Sequence, residues 1–173
     1  MDADMKRQLK EIKKRLDTIP EAIGVTAKGN QVTKERRVRS ALRASAKKFI
    51  PALQAATPMG TKEHTRIRKK DGKEVTYYPG NLRKSQQVIR FTKASPLSIF
   101  VGPKLHKNHT EYGITKFDPY YAPMVHDGTR YFAGRPFMKK ALSQAKVSVM
   151  QDLQKRIENI FRFHAKQKKL GKI

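Results

Sequence analysis

Met5, Leu9, Ile12, Leu16 and Ile19 recur at intervals of 4, 3, 4 and 3, with Lys and Arg filling most positions between them. That spacing predicts one apolar stripe on an amphipathic helix, and Pro20 closes it. Residues 21–32, which include Lys28-Gly29-Asn30, carry turn residues and little pattern, and read as a linker. The first helix is therefore expected to be an arm whose stripe packs on a neighbouring subunit. Thr33 is placed to cap a second helix, with Val38, Ala41, Leu42, Ser45, Phe49, Ala52, Leu53 and Ala56 on one side. Pro51 falls inside that pattern and predicts a kink or a split.

Lys70-Asp71-Gly72-Lys73 is a turn signal flanked by Thr65-Arg66-Ile67-Arg68 and Val75-Thr76-Tyr77-Tyr78, which together predict a basic β-hairpin. Its faces carry few apolar residues, so a partner is expected to order it. Asn81 caps a short turn through Leu82-Arg83-Lys84-Ser85, and two strands follow, Gln87 to Lys93 and Leu97 to Gly102. Residues 103–118 read as a loop, 119–125 as a short helix or extended stretch, and Asp127-Gly128-Thr129 as a tight turn. From Pro136, Phe137, Ala141, Leu142, Ala145, Val149, Leu153, Ile157, Ile160 and Phe161 mark one face of a long helix. The tail, Arg162 to Ile173, has five basic residues and no acid, and is expected to fray or to bind an anion. The fold class is α+β: a small antiparallel sheet packed by two long helices, with an N-terminal helical arm.

The chain has 173 residues, 39 Lys+Arg against 14 Asp+Glu, and a formal charge of +25. This length suits one domain with appendages. Without cysteine there is no disulfide framework, thiol nucleophile or thiolate metal site. No apolar run approaches the roughly 18 residues of a membrane span. The charged N-terminus lacks the apolar centre of a signal peptide. The expectation is a chain that neither spans a membrane nor leaves the cell by the signal-peptide route. So large a positive excess implies polyanions or acidic protein surfaces as neighbours. The candidate polyanion contacts are Arg66, Arg68, Lys69, Lys70 and Lys73 on the hairpin, and Lys166, Lys168 and Lys169 on the tail.

The inventory for catalysis is thin. His106 and His109 stand three apart but without a carboxylate set, and read as loop histidines rather than metal ligands. His126-Asp127 suggests a base and its orienting acid, yet adjacent side chains usually diverge and no nucleophile elbow accompanies them. The scattered glycines form neither GxGxxG nor GxxxxGK[ST]. Glu111, Asp118 and Asp127 are the carboxylates best placed for a metal-dependent nuclease. The expectation is no enzyme, no cofactor and no metal. The aromatic group Phe117, Tyr120, Tyr121, Tyr131, Phe132 and Phe137 suits a core or subunit contact better than base stacking.

Tyr121-Ala122-Pro123-Met124-Val125-His126-Asp127-Gly128-Thr129, followed by Ala133-Gly134-Arg135-Pro136-Phe137-Met138 and a long helix, resembles a tail-component family of long-tailed phages. That family is typified by neck, tail-completion and minor tail protein Z-like proteins. Upstream, Ala56-Thr57-Pro58 and Gly80-Asn81-Leu82-Arg83-Lys84-Ser85 are similar to the family's consecutive steps, here separated by about twenty residues that hold the basic hairpin. The chain departs from the family pattern in that insertion, in Pro79 and in His126-Asp127. The resemblance spans roughly 33–161 and implies a tail-component domain there with its insertion at about 61–80, beside the arm and linker over 1–32 and the basic tail over 162–173 that the pattern itself predicts. It implies a structural virion protein of the head–tail junction, present in host cytoplasm during assembly. Its implied partners are copies of itself in a ring, head-completion or connector proteins, tail tube or tail-terminator proteins, and viral DNA in the channel. Candidate subunit or partner contacts are Leu9, Ile12, Leu16, Tyr120, Tyr121, Arg135 and Phe137. The alternative is a stand-alone basic nucleic-acid-binding protein.

Overall fold

The computed structural model describes residues 3–26, 30–67, 72, 74–89, 98–104 and 121–171, with Met5, His64, Arg66 and Val75 through their backbone alone. Tyr120, Arg68, Lys69, Lys70 and Lys73 lie outside the described residues, as do Glu111, Asp118, His106 and His109. The fold is α+β, and the chain divides into two compact units, each with its own core. Among the described residues the strands form four separate antiparallel pairs rather than the single sheet expected from the pattern.

The first unit comprises residues 1–46, 91–99 and 147–173. Its described elements are α1 (Ala3–Asp17), β1 (Ala22–Val25), β2 (Gln31–Thr33), α2 (Lys34–Lys47) and the C-terminal part of α6 (Phe137–Lys169). The stripe assigned to an intersubunit arm is occupied within the unit. Leu16 and Ile19 are buried against Val38, Ala41, Leu153, Ile157 and Ile160, and Leu9 and Ile12 pack partly buried on the same cluster. In the single chain, α1 covers its own core, which corrects the expectation of a detached arm. Lys34 ties down the end of α1, its Nζ donating to the carbonyls of Leu16 (3.3 Å) and Ile19 (2.9 Å).

The supposed linker is likewise structural. β1 and β2 pair as a hairpin that delivers Ile23 and Val32 to the core. Thr33 does cap α2, its Oγ1 accepting from the Arg36 N–H at 3.2 Å. Glu21 completes the cap by accepting from the Glu35 N–H at 3.0 Å, where a carboxylate also suits the positive end of the helix.

The tail does not fray in the described residues. Helix α6 runs to Lys169, Phe161 and Phe163 pack on the core, and Gln167 is buried. The side-chain oxygen of Gln167 accepts from the Val25 N–H at 3.3 Å, passing over Gly24. Arg37 lies over the Phe163 ring at 3.9 Å, and Arg15 over Phe161 at 4.7 Å while pairing with Glu158 at 2.7 Å. Lys166, Lys168 and Lys169 are exposed.

The second unit comprises residues 47–90 and 100–146. Its described elements are α3 (Phe49–Ala56), β3 (His64–Ile67), β4 (Glu74–Tyr77), α4 (Asn81–Lys84), β5 (Gln86–Ile89), β6 (Phe100–Pro103), α5 (Ala122–Asp127), β7 (Gly128–Thr129), β8 (Phe132–Ala133) and the first turns of α6. The long second helix predicted from the pattern is split at Lys48, with Pro51 in the first turn of α3. Proline has no N–H to donate, and its ring clashes with the carbonyl four residues back, here Lys47, the last residue of α2. The basic hairpin forms as predicted, with Thr65 opposite Thr76 and Ile67 opposite Glu74. β5 and β6 pair from Gln86 opposite Pro103 to Ile89 opposite Phe100. The turn near Gly128 is displaced from the expected position: Gly128 and Thr129 are a strand, and Arg130-Tyr131 makes the bend.

Gly24 supplies a test of how the first unit closes. Its φ is 141°, and a Cβ there would fall 2.4 Å from Cγ of Gln167. Gly24→Ala is expected to lower stability by about 1–3 kcal/mol, through backbone strain and displacement of the Gln167 acceptor. Gly60→Ala, with only a carbonyl at 3.9 Å, should stay within about 0.5 kcal/mol. Urea melts of the two variants beside the parent check both.

Candidate functional site

Around Phe137 the second unit packs three short helices. Phe137 is 2% exposed and joins Leu53, Leu82, Ala122 and Ala141 in one cluster, with Val101, Tyr121, Val125 and Met138 partly buried on it. It anchors the start of α6 against α3, α4 and α5, with β6 contributing Val101 at the margin. The helices, rather than a sheet, are its main seat.

The junction that seats it is made of backbone. Arg135 N–H donates to the Val125 carbonyl at 2.8 Å, and Phe137 N–H to the Arg135 carbonyl at 2.7 Å. Gly128, at φ 89°, and Gly134 lie face to face. A Cβ on Gly134 would fall 2.5 Å from the Asp127 carbonyl carbon, and one on Gly128 would fall 2.5 Å from the Gly134 nitrogen. No side chain fits at either position, so the β7–β8 hairpin folds flush onto the end of α5. His126 adds a stitch: its Nδ1 lies 2.6 Å from the Asp127 carboxylate, and its ring stands edge-on to Phe137 at 5.4 Å. The neighbouring side chains that were expected to diverge thus meet. Asp127, the nuclease candidate, is engaged with this histidine. Among the described residues no group of three His, Asp or Glu side chains is placed to hold a metal.

A second set of contacts closes the base of the hairpin insertion. Thr57 hydroxyl donates to the Leu53 carbonyl, and the Thr57 carbonyl accepts from the Arg83 guanidinium at 3.3 Å. The Gln86 amide donates to the Leu82 carbonyl at 3.1 Å and to Thr57 Oγ1 at 3.4 Å, while Ser85 hydroxyl caps Leu82 at 2.8 Å. The chain therefore leaves at Thr57, makes the β3–β4 excursion and returns beside its point of departure. Tyr77 fastens that excursion to the unit: it is buried, and its ring meets Tyr121 edge-on at 6.0 Å. The hairpin is thus anchored within the chain at its base. Of the polyanion candidates there, Arg66 is described only by its backbone, opposite Val75.

Between these two junctions lies an open groove of 530 Å³. Leu82, Tyr121 and Val125 form its floor and belong equally to the Phe137 cluster. Met59, Tyr78 and Phe132 stand half-exposed on its walls. Among the described residues, Lys62 and Arg135 are its two cations and no carboxylate lines it. Tyr121 and Arg135 of the contact residues singled out in the sequence thus share one concavity, while Phe137 supports it from the core. Met59, Tyr78 and Pro79 were missed because they sit in turns without periodicity, where no pattern marks a side chain as lining anything. Tyr131, at the hairpin tip, is 78% exposed with Arg130 over its ring.

No family model, curated protein or solved structure matches this chain.

Two substitutions check the junction. Gly134→Ala pushes backbone against backbone with no flexible side chain to give way, and is expected to cost about 2–3 kcal/mol. Phe137→Ala should cost about 3–5 kcal/mol by emptying the cluster centre. Thermal and urea unfolding of the purified variants provide both readings, and a loss below about 1 kcal/mol for Gly134→Ala would mean the junction yields freely.

Proposed function

We propose that the chain is a structural protein of the phage head–tail junction, of the neck or tail-completion type, which assembles as a ring joining capsid connector to tail around the DNA path. The observation that carries this reading is the meeting of Thr57 with Arg83 and Gln86. Fragments that run together in the tail-component pattern are about twenty residues apart here, yet they bond to each other in space, with the hairpin as an excursion between them. The fragments near Tyr121 and Arg135 likewise fold onto one another, with Gly128 against Gly134. Exposed Met59, Tyr78, Tyr131 and Phe132 give the second unit apolar surface suited to contacts with partner proteins of the junction. In a ring, each copy offers one surface to the next, so two different patches are used. The described helices include none long and apolar enough to cross a membrane.

One observation favours the second reading, a stand-alone nucleic-acid-binding protein. Gln151, Lys155, Asn159, Arg162, Lys166 and Lys169 recur at spacings of 4, 4, 3, 4 and 3 on α6, all exposed and without an acid among them. Such a stripe suits phosphate contacts that release counterions.

Sedimentation velocity and negative-stain microscopy of the purified chain, at low and high salt, separate the two. A closed multi-copy ring, and the same chain in purified particles, is the expected result. A monomer under every condition that binds duplex DNA with a steep salt slope would overturn the ring and establish the alternative.

A further inference from the structure

The groove on the second unit combines features that specify an occupant. Its walls hold Met59, Tyr78 and Phe132, all half-exposed although the chain is otherwise strongly polar. Its two cations, Lys62 and Arg135, have no hydrogen bond or ion pair to their side chains among the described residues, whereas Arg7, Arg15, Arg39 and Arg156 are each paired with a carboxylate. Among the described residues the lining joins apolar walls to cations with no acid beside them, which complements a ligand that is apolar and negatively charged together.

We propose that this groove docks an acidic segment of a partner protein, which inserts an aromatic or large aliphatic side chain between Met59, Tyr78 and Phe132 and places carboxylates on Arg135 and Lys62. A planar guanidinium at Arg135 is suited to a bidentate carboxylate contact. The backbone on which Arg135 sits is fixed by its bond to Val125 and by the Gly128–Gly134 contact, so little ordering accompanies binding. A second copy of this chain is the poorer occupant, because it brings a charge of +25 to a cationic groove. A single-stranded nucleic acid is also poorer: Tyr77 is buried, and Tyr78, Tyr121 and Phe132 share the recess with aliphatic Pro58, Met59, Leu82 and Val125 instead of forming a flat stacking platform. The inference needs the groove and not the ring, since docking is read on the single chain and ring formation on its sedimentation.

The test uses the full chain and a fluorescein-labelled peptide, Asp-Glu-Asp-Phe-Glu-Leu-Asp-Asp, followed by fluorescence anisotropy at physiological salt. One control peptide replaces Phe and Leu by Ser, and the other replaces the acids by Asn and Gln. The parent peptide is expected to bind about tenfold more tightly than either control. Arg135→Gln and Phe132→Ser should each weaken it about tenfold, and Lys62→Gln about threefold, while Lys139→Gln leaves it unchanged. Phe132 and Arg135 are exposed, and unaltered circular dichroism verifies that the variants fold. Equal binding of the Ser-substituted peptide, or equal loss with Lys139→Gln, would reduce the effect to general charge attraction and overturn the proposal. Displacement of the peptide by oligothymidylate with the same dependence on Arg135 and Phe132 would assign the groove to nucleic acid instead. An effect of these variants on self-association alone would assign it to a second copy.

Discussion

At Gly128 and Gly134 two stretches of backbone touch with no space for a side-chain carbon between them. This contact fixes much of the second unit. It brings the β7–β8 hairpin down on the end of α5, which lets Arg135 bond to the Val125 carbonyl and begins α6 with Phe137 already in its pocket. The floor of the groove, Leu82, Tyr121 and Val125, is the outer surface of that same cluster. Groove and core are therefore one construction: whatever loosens the seat of Phe137 also loosens the wall on which Arg135 and Phe132 stand.

A comparable economy governs polar groups buried away from water. Thr57, Ser85 and Gln86 are all buried, and each donates to a carbonyl or hydroxyl at the base of the hairpin excursion. Ser45 does the same in the first unit, bonding at 2.8 Å to Asp152, which also accepts from Arg156 at 2.6 Å. Leaving such groups unpaired costs more than pairing them gains, so they select one arrangement of the chain over compact alternatives. That selectivity matters in a protein with 39 basic residues, whose mutual repulsion opposes every compact state. Some of the repulsion is offset locally, where Arg15 and Arg37 spread over Phe161 and Phe163 and cover core edge with their stems and planes.

How much of this was legible in the sequence follows from the range of each signal. Helix α6, the hairpin about Gly72, the short helix at Asn81 and the cap at Thr33 announce themselves within a few residues, through periodicity or turn chemistry. The hairpin over 22–33 does not. Each of its strands gives the core one large apolar residue, Ile23 and Val32, and its closing partner is Gln167, 142 residues away from Val25. No local window contains that information. The tail misled for a related reason: its many lysines face solvent, while Phe163 and Gln167 turn inward at helical spacing. On α6 the pattern chose Val149 where the structure buries Met150 more deeply, a shift of one residue within a broad apolar face. In the groove, Tyr121 and Arg135 were legible through their motif, whereas Met59 and Tyr78 come from turns that only tertiary closure brings to one wall.

The distribution of unpaired charge then bears on what kind of contact the molecule is built to make. If its positive excess served phosphate binding alone, apolar side chains beside the cations would gain nothing, because a phosphate backbone offers them no complementary surface. The stripe on α6 fits that case: the residues interleaved with its cations are the polar Gln151 and Asn159, with no large apolar side chain among them. The groove does not. There Lys62 and Arg135 stand among Met59, Tyr78 and Phe132, and the apolar walls are already ordered by the core beneath them. Exposing that surface is unfavourable in the free chain and becomes favourable only when something apolar covers it. Charge on one helix face and charge set in an apolar recess are thus different instruments, the first indifferent to what lies between negative groups and the second selective for it. The recess is the one suited to the acidic, apolar segment proposed for it.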